Sequence, residues 1–199
     1  PAVAGIKQIL SEARFDVVLL EKYTAKSELL AAVADVDAII IRSDIIDKEV
    51  FDAARQLKIV VRAGAGYDNV DLEAATAHGV CVMNTPGQNA NAVAELVFAL
   101  LLFSVRNRFN GNSGTELKDK KLLAYGNTGR NVARIAKGIG MDIYAYDPFT
   151  PAEVIEKEGV HAVASQKELF STCDVVSLHI PATPETEGSI GRELVSLLP

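Results

Sequence analysis

Two stretches of this chain combine residue types and spacings that can do chemistry. In the first, the apolar run Leu122-Leu123-Ala124-Tyr125 leads into Gly126-Asn127-Thr128-Gly129, and Asp147 stands 18 residues past Gly129. Gly126 allows close backbone approach to a ligand, and Gly129 allows the following helix to pack on the strand. The backbone N–H groups of Asn127 and Thr128 then face outward at a helix start, where anions bind. This order suits a dinucleotide pyrophosphate, with Asp147 accepting hydrogen bonds from a ribose. In the second stretch, Arg62-Ala63-Gly64-Ala65-Gly66 follows another apolar strand. Its small residues leave backbone N–H groups open to a carboxylate or similar anion. Arg62 adds charge there, and Arg42, at the end of an adjacent strand, is placed to reach the same crevice.

The acid also bears on which dinucleotide is held. A carboxylate accepts from both ribose hydroxyls and repels a 2′-phosphate. No Arg or Lys lies in Pro148-Phe149-Thr150-Pro151-Ala152 to neutralise one, so NAD is expected over NADP. Two features depart from the usual glycine fingerprint. Ala124 stands where the first glycine is expected, a change that costs on the order of 1 kcal/mol if the turn needs glycine geometry. The strand before it is also short.

Other reactive residues read as structural. His179 ends a strand-like run and is expected to line the cofactor or serve packing. His78, at a helix end, and His161, near the surface, have no expected partner. Glu95 reads as a cap or interface charge. Cys81 and Cys173 lie in or beside apolar runs and are expected to be buried free thiols in a reducing compartment. No metal site is expected.

These residues need elements to hold them. Helices are expected over Ala4–Ala13, from a Ser27 cap through Val33, over Asp47–Arg55 and Asp71–Ala77, and from about Asn89 to Val105. Strands are expected at Asp16–Leu20, Ala38–Ile41, Lys58–Val61 and Val80–Met83. A second series has strands at Leu122–Tyr125, Ile143–Tyr146, Val160–Val163 and Val175–His179, with a helix over Thr128–Ile139. Continuous apolar strands alternating with helices predict an α/β fold with parallel sheets covered on both faces. The long helix is apolar nearly all round beyond Glu95, so it is expected to be buried on most sides.

The 199 residues are 49% hydrophobic with a net charge of −6, a balance that disfavours nonspecific nucleic-acid or anionic-membrane binding. The longest apolar run, Leu96 to Phe103, is eight residues, far short of the roughly 18 that a membrane helix needs. A cytoplasmic protein is expected. The ends, at Pro1 and Pro199, read as cut.

The run Val61 to Asp71, then Met83-Asn84-Thr85-Pro86 through Val93-Ala94-Glu95, resembles the D-isomer-specific 2-hydroxyacid dehydrogenases. Leu178-His179-Ile180-Pro181-Ala182-Thr183-Pro184-Glu185-Thr186 is similar to the family's L-H-x-P-x-T-x-x-T segment. Ile41-Arg42-Ser43 and Arg62-Ala63-Gly64 look most like its D-3-phosphoglycerate dehydrogenase branch, of the short type without a regulatory domain. The resemblance covers nearly the whole chain.

It implies two Rossmann-like lobes, a flavodoxin-like substrate lobe over 1–88 and a nucleotide-binding lobe over 110–199, joined by a bridging helix over 89–109, with a cleft between them. The substrate carboxylate would meet the backbone of Gly64, Ala65 and Gly66, with Arg62 and Arg42 assisting, one or both of them holding the phosphate. Thr85 would touch the nicotinamide side of NAD. Gly126, Asn127, Thr128, Gly129 and Asp147 would hold pyrophosphate and ribose, and Ile180 and Pro181 would line the cofactor. A homodimer through the nucleotide lobe and bridging helix is implied. So is hydride transfer between NAD and a small anionic 2-hydroxy acid, here 3-phosphoglycerate, in serine biosynthesis. The family's catalytic Arg, Glu and His lie beyond Pro199, and the first strand and C-terminal return are expected to be missing. The alternatives are another 2-hydroxyacid dehydrogenase, of the glyoxylate or hydroxypyruvate reductase type, and a non-catalytic NAD-binding protein if 199 residues is the true length.

Overall fold

In a computed structural model, residues 5–124, 126–180 and 183–199 are described. The chain divides into two compact units, Pro1–Gln88 and Asn89–Pro199, each built around a parallel sheet.

The first unit runs α1 (Gly5–Glu12), α2 (Lys26–Ala32), β1 (Ala38–Ile41), α3 (Lys48–Ala53), β2 (Ile59–Arg62), α4 (Leu72–Ala77) and β3 (Cys81–Met83). The strands lie in the order β1-β2-β3, all parallel, with Ile41 opposite Arg62. Ile46, Val50, Phe51 and Val60 are almost fully buried and form the centre of the core. Two aspartates start the helices on either side of β2. The Asp47 carboxylate accepts from Val50 N at 3.3 Å, and that of Asp71 from Ala74 N at 2.9 Å, each satisfying an orphan first-turn donor. Gly79, at φ 68°, ends α4, and Val80 N donates back to Ala75 O at 2.9 Å.

The sequence expectations need three corrections here. Asp16–Leu20 forms no strand. A strand exists only where a neighbour takes its N–H and C=O groups; none does so among the described residues, and Phe15, Val18 and Leu19 lie exposed. Ser27 is not the cap of α2. Ala25 holds that position, and the Glu28 carboxylate accepts from Thr24 N and Ala25 N, both at 3.0 Å. Cys81 is exposed, because it opens β3 at the sheet's edge.

The second unit runs α5 (Ala90–Val105), β4 (Lys121–Leu123), α6 (Gly126–Ile139), β5 (Asp142–Ala145), α7 (Ala152–Lys157), β6 (His161–Ala162), α8 (Gln166–Thr172), β7 (Val175–Val176) and α9 (Arg192–Val195). Its strand order is β6-β5-β4-β7, again parallel. β4 is brief, but Ala124 N donates to Tyr144 O at 3.2 Å and extends the ladder one step. Asp174 anchors the other end of β4: its carboxylate accepts from Lys121 N at 2.8 Å and Lys120 Nζ at 3.2 Å. The Lys121 N–H, then the Lys120 ammonium, hold its pKa below the ordinary carboxylate value.

Helix α5 folds with this unit, since Ala94 and Phe98 join Leu122, Val132, Ala136 and Ile143 in one core. It is not buried on most sides, however. Leu96, Leu100, Leu102 and Phe103 are exposed, because the core takes the stripe through Ala94, Val97, Phe98, Leu101 and Val105. Among the described residues no helix is long and apolar enough to cross a membrane, and no cluster of ligating side chains could hold a metal.

Candidate functional site

Both candidate sites sit beyond the carboxyl ends of parallel strands, where open α/β sheets hold ligands. In the first unit the loops after β1 and β2 are tied together. Ile46 N donates to Asn69 O and Asp71 N to Ile46 O, both at 2.9 Å. Asn69 Nδ2 donates to Asp44 O at 2.7 Å, and the Tyr23 hydroxyl to Asp44 Oδ1 at 2.9 Å. Burial first, and the Asp44 carboxylate second, push the Tyr23 pKa up. The platform under Arg42 and Arg62 is therefore cross-braced, in part by Tyr23 and Asp44, which belong to no motif. Only their contacts across 21 to 25 residues of chain reveal them.

Within the platform the backbone donors are not equivalent. Ala63 N already bonds Ile41 O at 2.7 Å, and Gly64 N bonds Arg62 O at 2.8 Å. The expectation that the Gly64 N–H is open to an anion is thus corrected: it closes a tight turn. Thr85 N donates to Gly64 O at 2.9 Å, and Asn84 Nδ2 to Ala65 O at 2.8 Å. Ala65 N and Gly66 N carry no hydrogen bond among the described residues. Arg42, one residue past β1, is exposed, whereas Arg62 is half-buried.

In the second unit the strand order changes direction at β4, whose neighbours are β5 and β7. The chain leaves β4 through Ala124 and enters α6 at Gly126, whose φ is 80°. A Cβ built on Gly126 meets nothing within 4 Å, so the space before the turn is open while the backbone disfavours any side chain. At Gly129 a Cβ would stand 2.9 Å from the Ala124 carbonyl carbon, so only glycine allows α6 to lie this close to β4. Asn127 and Thr128 fall in the first turn of α6. A left-handed glycine at a helix start, an uncluttered approach and a switch in strand order together fit a dinucleotide pyrophosphate.

Asp147 lies two residues past β5. Its carboxylate accepts from Phe149 N at 2.8 Å and Thr150 Oγ1 at 3.0 Å. Two of about four acceptor positions are used, so the group is held in place with capacity left for ribose hydroxyls. Beside it, Tyr146 and Pro148 line an open surface groove with Ser165, Gln166, Ser189 and Leu194.

Past β7, Ser177 N donates to Leu123 O at 3.2 Å, which brings the following residues alongside the glycine turn. The His179 Nε2 lies 2.8 Å from the Ser177 hydroxyl, and burial holds its pKa below the ordinary histidine value. Ile180 is half exposed; Pro181 lies outside the described residues, as does Tyr125. The other histidines do have partners, contrary to expectation. His78 stacks on Phe51, with its ring nitrogens 2.8 Å from Ala74 O and 3.1 Å from Asp52 Oδ1. His161 packs on the Tyr144 ring. Glu95 accepts from Asn91, which accepts in turn from Arg134, so it links α5 to α6.

Residues 4–193 match the D-isomer specific 2-hydroxyacid dehydrogenase catalytic domain. The chain belongs to this family. Among its relatives, the D-3-phosphoglycerate dehydrogenase of Methanocaldococcus jannaschii is 38% identical over 192 residues, covering 87% of this chain and 36% of that protein. D-3-phosphoglycerate dehydrogenase 2, chloroplastic, of Arabidopsis thaliana is 41% identical over 186 residues, covering 85% of this chain and 30% of that one. The crystal structure of cofactor (NAD+)-bound 3-phosphoglycerate dehydrogenase from Entamoeba histolytica superimposes with a TM-score of 0.91 at 48% identity, over 100% of this chain and 64% of that one. The 2-hydroxyacid dehydrogenase chain described here thus spans about a third of the length of the curated relatives it matches.

Proposed function

We propose that this chain forms the substrate-anion and NAD-holding parts of a cytoplasmic dehydrogenase that oxidises 3-phosphoglycerate to 3-phosphohydroxypyruvate in serine biosynthesis. The observation that carries the reading is the 48% identity, across the whole chain, to an NAD+-bound 3-phosphoglycerate dehydrogenase. In this reading the first unit is a flavodoxin-like substrate lobe and the second the nucleotide lobe.

Arg62 and Arg42 hold the phosphate and carboxylate charges, with Ala65 N–H and Gly66 N–H as backbone donors. Thr85, bonded to the same loop, borders the nicotinamide. The N–H groups at the start of α6 take the pyrophosphate, Asp147 takes the ribose, and Ile180 and Pro181 line the cofactor. NAD, when bound, supplies the hydride acceptor. No histidine of this chain is assigned the proton transfer. His78 and His161 are engaged in packing, and His179, paired with Ser177, borders the cofactor. The exposed stripe Leu96, Leu100 and Phe103 on α5 is the surface through which two copies pair.

Calorimetric titration of the 199-residue chain tests this. NAD+ is expected to bind at least about tenfold more tightly than NADP+, the difference one repelled phosphate makes. 3-Phosphoglycerate is expected to raise the melting temperature more than D-glycerate does, and Arg42→Ala to abolish that difference. Equal affinity for both nucleotides would reject the NAD assignment. Equal effects of the two acids would favour the glyoxylate or hydroxypyruvate reductase type. Nucleotide binding without any acid binding would point to a non-catalytic NAD-binding protein.

A further inference from the structure

Gly64 has an unusual neighbour. A Cβ built on it would lie 1.5 Å from Arg62 Nη1, 2.6 Å from Cζ and 3.3 Å from Nε. The guanidinium therefore occupies the volume that any side chain at position 64 would fill. Arg62 Nε is buried there without a hydrogen-bond partner among the described residues. The three nearest atoms all belong to Arg62. The backbone itself makes no demand for glycine, since Gly64 is absent from the positive-φ residues. Its N–H and C=O are both bonded, to Arg62 O and from Thr85 N, and alanine retains both groups. Gly64 thus differs from Gly126, where the backbone conformation requires glycine, and from Gly129, where a side chain would meet rigid backbone.

We propose that Gly64 is a positioning residue that sets anion specificity: its missing side chain is the notch that seats the Arg62 guanidinium at the end of β2. This rests on the reading of that strand end as the anion site. An arginine side chain in solution samples many rotamers, and holding it in one place before the ligand arrives lowers the cost of binding. A buried N–H without an acceptor is unfavourable, so an incoming oxyanion gains further by drawing Nε into a charge-assisted bond. Filling the notch evicts the guanidinium into solvent without straining the backbone. The strand end keeps its net charge and loses its geometry.

Three variants of the 199-residue chain test the idea: Gly64→Ala, Arg62→Ala and the double variant. The first readout is the Arg62 Nε–H resonance of 15N-labelled protein, assigned by its loss in Arg62→Ala. It is expected to be protected from solvent exchange in the native chain and to exchange freely in Gly64→Ala, with backbone amide shifts confined to residues near 62–66. The second is titration with inorganic phosphate and 3-phosphoglycerate. Gly64→Ala is expected to weaken binding about tenfold or more, the loss of one charge-assisted hydrogen bond, and to add nothing in the Arg62→Ala background. An Arg62 resonance unchanged in Gly64→Ala would overturn the seating. So would a double variant that is as unfolded as a failed Gly64→Ala, because the obstacle would then not be Arg62. Absence of anion binding by the native chain would reject the anion-site reading and with it the specificity role, while the resonance still reports separately whether Arg62 is seated.

Discussion

Gly129 lies directly against Ala124: a Cβ on the glycine would stand 2.9 Å from the alanine's carbonyl carbon. Ala124 is itself fully buried. The contact locks the start of α6 onto the end of β4, so packing sets the backbone donors that would meet a pyrophosphate. It also explains why Ala124 is tolerated where a glycine is expected. The close approach is supplied from the helix side.

Gly129→Ala is expected to force backbone apart and to cost about 1–3 kcal/mol, the usual range for overpacking a tight contact. Gly126→Ala meets open space and is expected to cost only the left-handed conformation, about 1–2 kcal/mol. Urea unfolding of both variants measures the costs. The distinguishing readout is NAD+ binding after correction for folded fraction: a displaced α6 weakens it in Gly129→Ala. Native affinity in that variant would count against the packing argument.

Asp147 is expected to combine two roles, as cap of its own loop and as ribose acceptor. Asp147→Asn preserves a carbonyl acceptor for Phe149 N but removes the charge. NAD+ affinity is expected to fall about tenfold and the preference over NADP+ to narrow, since the repelling charge is gone. Parallel titrations with both nucleotides decide it; an unchanged ratio would place the ribose elsewhere.

His179 links stability to pH. Burial depresses its folded pKa below the ordinary value of 6.5, so between those two values the unfolded chain binds more protons than the folded one. Stability is then expected to rise with pH as the solution passes from the depressed folded pKa up to about 6.5, and to show no further contribution above it. Urea midpoints of native chain and His179→Gln across pH 5 to 8 isolate the effect as a difference in slope. Parallel curves for the two proteins would show that the folded and unfolded imidazoles titrate alike.

The two cysteines are expected to behave oppositely. Cys173 is fully buried, and burial pushes its thiol up to about 11, so little thiolate forms at neutral pH. Cys81 is exposed at the start of β3. A disulfide reagent at pH 8 is expected to modify one thiol quickly in the native chain and both in urea. Rapid reaction of both without denaturant would mean that β7 and α8 open readily around Cys173.

Much of this protein was legible in the order of its residues. Apolar runs of Val, Ile and Leu alternating with helical segments are enough to specify parallel strands, because only strands covered on both faces are apolar throughout. Asp47 and Asp71 mark helix starts by chemistry that acts within three residues, and so does the Gly126–Gly129 turn. What depends on distant partners was not legible. Asp16–Leu20 has the composition of a strand, yet pairing is a property of two segments, and no neighbour among the described residues bonds to it. Cys81 and Cys173 sit in similar apolar surroundings in the sequence, but one opens an edge strand and the other is covered by packing. The α5 helix is apolar on nearly all sides, and only the shape of the adjacent core decided which stripe it buries. At the strand end of β2 the residue types alone suggested open backbone donors at Gly64. The tertiary structure spent that N–H on a turn and gave the vacant side-chain volume to the Arg62 guanidinium. Local hydrogen bonding and periodicity are written in the sequence; the occupancy of space is settled only when the chain folds on itself.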